Sequence, residues 1–232
     1  MGLMMFAGLA LLPPLLQSLL GYSVLQSGFL TAPRGIGTLA SMMIAGQLVG
    51  KVDARLLVLT GMSLMALSLW QMSGFSLDMD RTPIVISGFV QGLALGLIFV
   101  PLNTVAFGTL AAQYRTTAAA LFNLSRSVGG SIGISIMTVM LARNLQVSHS
   151  DLAAHITPYS LPPIPPAIAE GAPPVTQTLL AMMDAEINRQ ALMIAYIDDF
   201  RLMMILSLLA IPLLLLLRKA RPAGADGHAV MD

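Results

Sequence analysis

Residues 24–49, VLQSGFLTAPRGIGTLASMMIAGQLV, and 116–142, TTAAALFNLSRSVGGSIGISIMTVMLA, decide the fold. Each is long and apolar enough to cross a bilayer, which takes ~20 residues in a helix. Each also carries one arginine near its middle, Arg34 and Arg126. Moving an arginine from water to the bilayer centre costs ~2.5–3.5 kcal/mol on insertion scales. Membrane proteins tolerate this where the guanidinium faces other helices or a water-filled cavity. The chain therefore reads as a polytopic membrane protein with a polar interior.

Composition agrees. Hydrophobic residues make up 56% of the 232, charged residues 10%, and the mean hydropathy is +0.81; soluble domains carry about 25% charged residues. A net charge of +1 argues against a nucleic-acid partner, and the absence of cysteine excludes disulfides and thiolate metal sites. An all-α protein of six transmembrane helices is expected, with spans near 2–20, 24–49, 56–75, 83–110, 116–142 and 200–217. The expected organisation is helices one to five over 1–142, a long extracytoplasmic loop over 143–199, helix six over 200–217 and a tail over 218–232. The proline-rich residues 158–174 cannot be a helix, whereas 176–195 suit an amphipathic interfacial helix. Lys51, Arg55, Arg115, Arg218, Lys219 and Arg221 all fall on the side of the two termini. The positive-inside bias therefore makes the termini cytoplasmic.

Polar residues within the spans are ordered. Ser27, Thr31, Arg34, Thr38 and Ser41 recur at intervals of three and four, which places them on one helix face. Arg34 lies ~15 Å from the outer end of its helix at 1.5 Å per residue. Asn123, Arg126, Gly130 and Gly133 form a similar face. Two roles are open to the arginines: lining a substrate or ion pathway, or holding the carbonyls of a neighbouring helix. Gln17, Gln91 and Asn103 are uncharged polar residues inside spans, suited either to substrate contact or to helix association. Gly88, Gly92 and Gly96 repeat at intervals of four and permit close helix approach. The seventeen methionines suit a deformable apolar pocket.

An enzyme is not expected. His149, His155 and His228 lie in the long loop or tail, and no aspartate or glutamate falls inside the six assigned spans. Neither a serine–base pair nor an aspartyl dyad is available there. No metal site and no cofactor are expected, because His149, Asp151 and His155 lack a further ligand.

Several motifs carry a family resemblance. Pro33-Arg34-Gly35-Ile36-Gly37, followed by Gly46-Gln47-Leu48-Val49-Gly50-Lys51-Val52-Asp53-Ala54-Arg55, resembles the second helix and following loop in the C-terminal half of major facilitator transporters. Gln91-Gly92-Leu93-Ala94-Leu95-Gly96 through Pro101-Leu102 resembles a later helix of that half. Phe122-Asn123-Leu124-Ser125-Arg126-Ser127-Val128-Gly129-Gly130-Ser131-Ile132-Gly133 is similar to a motif of the 14-helix drug:proton antiporters, which work with a periplasmic adaptor. Asn188-Arg189-Gln190-Ala191 and Tyr196-Ile197-Asp198-Asp199-Phe200 fit that branch too.

The resemblance covers essentially the whole chain and implies the C-terminal six-helix half of a proton-driven exporter of drugs or other amphipathic toxic compounds. It implies a bacterial inner-membrane location, lipid contact, and a missing N-terminal half or a second copy as partner. It also places the family's proton-coupling carboxylates chiefly in that N-terminal half. Arg34, Arg126, Gln17, Gln91, Asn103 and Asn123 are the expected pathway residues. Gly46, Gly50, Lys51, Asp53 and Arg55 form the expected cytoplasmic loop motif, with Gly50 where the fuller motif has an aspartate. Two further readings are a non-transporting scaffold or assembly subunit, which needs no buried charge, and a half-transporter that works as a homodimer.

Overall fold

The computed structural model describes residues 2–108, 112–155 and 173–215, and the described chain is helical with no strand. Helix α1 spans Gly2–Pro14 and passes into a π-helical turn over Leu15–Leu19. Pro13 and Pro14 have no N–H to give the preceding turn, so the ladder re-forms in the wider pattern, with Leu20 N bonded to Leu15 O at 3.1 Å. Gly21, at φ +72°, turns the chain, and Ser23 opens α2 (Val24–Leu48). The Ser23 hydroxyl accepts from Gln26 N at 3.3 Å while the Ser23 N–H donates to Gln26 Oε1 at 3.1 Å. This reciprocal box satisfies two of the donors left free at a helix start.

Asp53 caps α3 (Ala54–Met72) by accepting from Arg55 N. Then follow α4 (Arg81–Gly108), a 3-10 turn at Ala112–Tyr114, α5 (Arg115–Ala154) and α6 (Pro173–Leu215). Two boundaries differ from the sequence expectation. α5 runs past residue 142 to Ala154, and α6 begins at Pro173, not near 200. Both helices are about 60 Å long by their rise, roughly twice the ~30 Å hydrocarbon core. Their far ends pair beyond the bundle, where His149 Nε2 meets Asp184 Oδ1 at 3.0 Å. The basic cluster Arg218-Lys219-Arg221, the tail and most of the proline-rich segment fall outside the described residues.

By length and composition, α3, α4 up to Phe107 and α5 are each able to cross a membrane. The helices pack in the order α2–α4–α3–α6–α5–α1. Leu15, Leu16, Leu69, Met72, Ile84, Met137, Phe200 and Met203 form the centre. Serine hydroxyls stitch neighbours together: Ser41 Oγ to Gly92 O at 3.3 Å, Ser68 Oγ to Ser87 O at 2.8 Å, and Ser207 Oγ to Met62 O at 3.5 Å.

The tightest packing is backbone on backbone between α2 and α4. A Cβ at Gly92 would collide with the Arg34 carbonyl oxygen, one at Gly96 with Ser41 Oγ, and one at Gly37 would stand 2.5 Å from the Phe89 carbonyl oxygen. Gly35 and Gly46, on the same α2, face open space. Gly92→Ala should therefore lower the thermal unfolding midpoint of the detergent-solubilised chain, in line with the ~1–3 kcal/mol cost of overpacking. Gly35→Ala and Gly46→Ala should leave the midpoint unchanged or raise it slightly. Equal midpoints for Gly92→Ala and Gly35→Ala would contradict this packing.

Candidate functional site

The polar stripe on α2 faces α4. Ser27, Arg34 and Ser41 are buried, with Arg34 only 7% exposed, and Thr31 and Thr38 are half-buried. Opposite faces of the same helix expose Val24, Phe29, Ile36, Leu39 and Met43. The hydroxyls satisfy themselves on their own helix, Thr31 at Ser27 O and Thr38 at Arg34 O, both at 2.9 Å. Arg34 is less well served: its Nη2 is buried without a hydrogen-bond partner.

A cavity of about 480 Å³ opens between α2, α4 and α5 and is lined from all six helices. Its wall is mainly apolar, with Met5, Met42, Met62, Met65, Phe99 and Phe122 contributing thioethers and rings. Thr38, Ser125, Ser207 and Arg126 are the polar exceptions. The Arg126 guanidinium lies over the Phe99 ring, 5.2 Å from its centroid, and its Nε is buried without a partner. A desolvated cation–ring contact is worth ~2 kcal/mol, but it leaves the guanidinium edge free for an oxygen ligand. No acidic side chain lines this cavity.

The other expected pathway residues scatter. Gln91 is 1% exposed with both amide atoms unpartnered, and it points towards Gly8 of α1. Gln17 is half-buried on the π turn, and Asn103 is half-buried with its amide spent on Phe99 O at 2.8 Å. Asn123 lies on the helix face of Arg126 and Gly130 but is exposed, whereas Gly130 and Gly133 further along that face are buried. In the loop motif, Gly50 adopts φ +95°, which only glycine takes readily, and reverses the chain after α2. Lys51 is exposed, Asp53 serves as the cap of α3, and Gly46 is exposed.

One expectation is corrected. The last span was placed from residue 200, which left no carboxylate inside the helices. Asp199 is in fact fully buried within the packed bundle, and neither of its oxygens has a hydrogen-bond partner. The signal was present in the spacing: Ala191, Ala195, Asp199, Met203 and Ser207 recur every four residues, and all are 0% exposed. The acidic pair Asp198-Asp199 masked it. Asp198 is the outward member, 3.5 Å from Arg201.

The profile of the Major Facilitator Superfamily matches residues 1–145. The chain belongs to the Major Facilitator Superfamily. It is similar to the fatty acid resistance protein FarB of Neisseria gonorrhoeae, 29% identical across 98% of this chain and 45% of that protein. It is 32% identical to the multidrug export protein EmrB of Escherichia coli K12, across 67% of this chain and 30% of that protein. It is 33% identical to the multidrug resistance protein B homolog of Mycobacterium tuberculosis, across 68% and 29% respectively. The chain thus spans less than half the length of these relatives, and its likeness lies with the multidrug efflux branch of the family. It is a membrane protein of a transporter family.

Proposed function

We propose that this chain forms the C-terminal six-helix half of a proton-driven exporter in a bacterial inner membrane, with its termini on the cytoplasmic side. The observation that carries the reading is the cavity lined from all six helices, apolar except where Arg126 and three hydroxyls enter it. Such a wall suits an amphipathic molecule: methionines and rings accommodate a variable apolar body, and the guanidinium gives an anionic head its partner. Lipophilic carboxylates therefore fit better than lipophilic cations. A relative named for fatty acid resistance and others named for multidrug export support that direction.

Transport would proceed by rocking this bundle against a second one about the cavity. The edges of α2 and α5 expose Phe29, Ile36, Leu39, Leu121, Leu124 and Val128. Those faces suit an N-terminal half or a second copy of the chain. The long paired ends of α5 and α6, on the extracytoplasmic side in this topology, are a surface for a periplasmic adaptor.

Two measurements test this reading. A fluorescent long-chain fatty acid should bind the purified chain in nanodiscs, and Arg126→Gln should weaken it about tenfold, equivalent to ~1.4 kcal/mol. The corresponding fatty alcohol should bind both forms alike. Equal loss of acid and alcohol, or loss of neither, would remove Arg126 from the site. For topology, single cysteines replacing Ser150 and Tyr114 in this cysteine-free chain should differ. An impermeant thiol reagent added outside should label the first and not the second, and the opposite pattern would invert the orientation.

A further inference from the structure

Asp199 is the one fully buried carboxylate among the described residues, and the exporter reading above gives it no part in substrate binding. α6 packs against α5, α3, α1 and the π turn, and those neighbours offer it no counter-charge. α1 and the π turn contain no ionisable side chain. The lone ionisable residue of α3, Arg55, stands at the opposite end of that helix, ~25 Å from Met72. On α5, Arg115 is the exposed first residue, Arg126 lies over Phe99, Arg143 and Asp151 are exposed, and His149 is held by Asp184. On α6 itself, Arg201 is paired with Asp198 and exposed, and Tyr196 is stacked against Phe200, which meets Phe75 edge-on at 6.2 Å.

A second unpartnered polar group, Gln91, stands where α1 meets α4 and the turn of α6 that follows Asp199. A Cβ at Gly8 would be 3.3 Å from Gln91 Nε2 and 3.8 Å from the Met203 methyl, so α4 and α6 meet α1 at one spot. Asp199 precedes Met203 by one turn on the same face, about 6 Å along the axis. Gln91 is equally orphaned. An ionised carboxylate with no cation and no donor is intolerable in such a site, whereas the neutral acid is tolerated.

We propose that Asp199 is a proton-binding site whose occupancy is tied to the packing of α6 against α1, α3 and α5. In the packed bundle the carboxyl holds its proton. When α6 parts from its neighbours, water reaches the group, the O–H bond breaks, the electron pair stays on the carboxylate and the proton leaves to water. Repacking requires the proton back. As a coupling site this rests on the exporter reading; as a proton site it rests on packing alone.

Infrared spectra of the purified chain in phosphatidylcholine nanodiscs test it. The C=O stretch of a neutral carboxylic acid should persist at neutral pH, where exposed carboxylates are ionised, and should be absent from Asp199→Asn at unchanged helicity. Asp199→Glu should retain it. Raising the pH should remove the band and increase hydrogen exchange over residues 195–207 in the wild type beyond that in Asp199→Asn. Identical spectra for wild type and Asp199→Asn would overturn the proposal. So would a band that titrates with no difference in exchange, because binding would then be separate from packing. The fluorescent fatty acid should bind Asp199→Asn as it binds wild type. Failure of that probe on the wild type itself counts against the exporter reading and leaves the infrared result standing.

Discussion

Charge without a counter-charge is the constraint on which this bundle depends. Arg34, Arg126 and Asp199 all sit in an apolar helix bundle, and none forms an ion pair among the described residues. A lipid-facing position would be prohibitive for each. The bundle answers differently in each case. Arg34 is pressed against the glycine face of α4, Arg126 is spread over the Phe99 ring at the rim of a cavity, and Asp199 is sealed among α6's neighbours. The α2–α4 contact makes the first arrangement feasible. Without side chains at Gly88 and Gly92, the backbone of α4 approaches closely enough to cover the base of Arg34.

On the proposed reading, two of these groups, Arg126 and Asp199, would separate the tasks that a proton-driven exporter must combine. The guanidinium at Arg126 opens onto the cavity and is available to a ligand, while the carboxyl at Asp199 is closed off from it by packing. On that reading, substrate and proton would meet different parts of one helix bundle. A change in the packing of α6, and not direct contact, would link them. On the same reading, a second bundle would supply the opposite wall at the apolar, exposed edges of α2 and α5.

Much of this architecture was legible in the residues. The stripe from Ser27 to Ser41 was readable because serine, threonine and arginine stand out from apolar neighbours at helical spacing. The interval of four at Gly88, Gly92 and Gly96 marked a close approach, although its partner on α2 was not readable. Other features hid for physical reasons. Asp199 sits beside a second aspartate, and two adjacent charges read as the end of a loop; burial of one and exposure of the other is set by tertiary packing. Asn123 is a different case. Its spacing places it on the face of Arg126 and Gly130, but spacing does not say how far along that face the packing extends: Gly130 meets Phe6 of α1, whereas Asn123 is exposed. The lengths of α5 and α6 were missed because membrane thickness does not limit a helix that continues beyond the bundle beside a partner.

The most direct measurement is an experimental structure of the chain, with its partner half or a second copy, bound to a long-chain fatty acid in a lipid nanodisc. The carboxylate should lie within hydrogen-bond distance of the Arg126 guanidinium, with the acyl chain along Met42, Met65 and Phe122. Arg34 should remain against α4. A fatty acid seated on the outer faces of α2 or α5, or an Arg126 guanidinium turned into the acyl chains of the bilayer, would contradict the account.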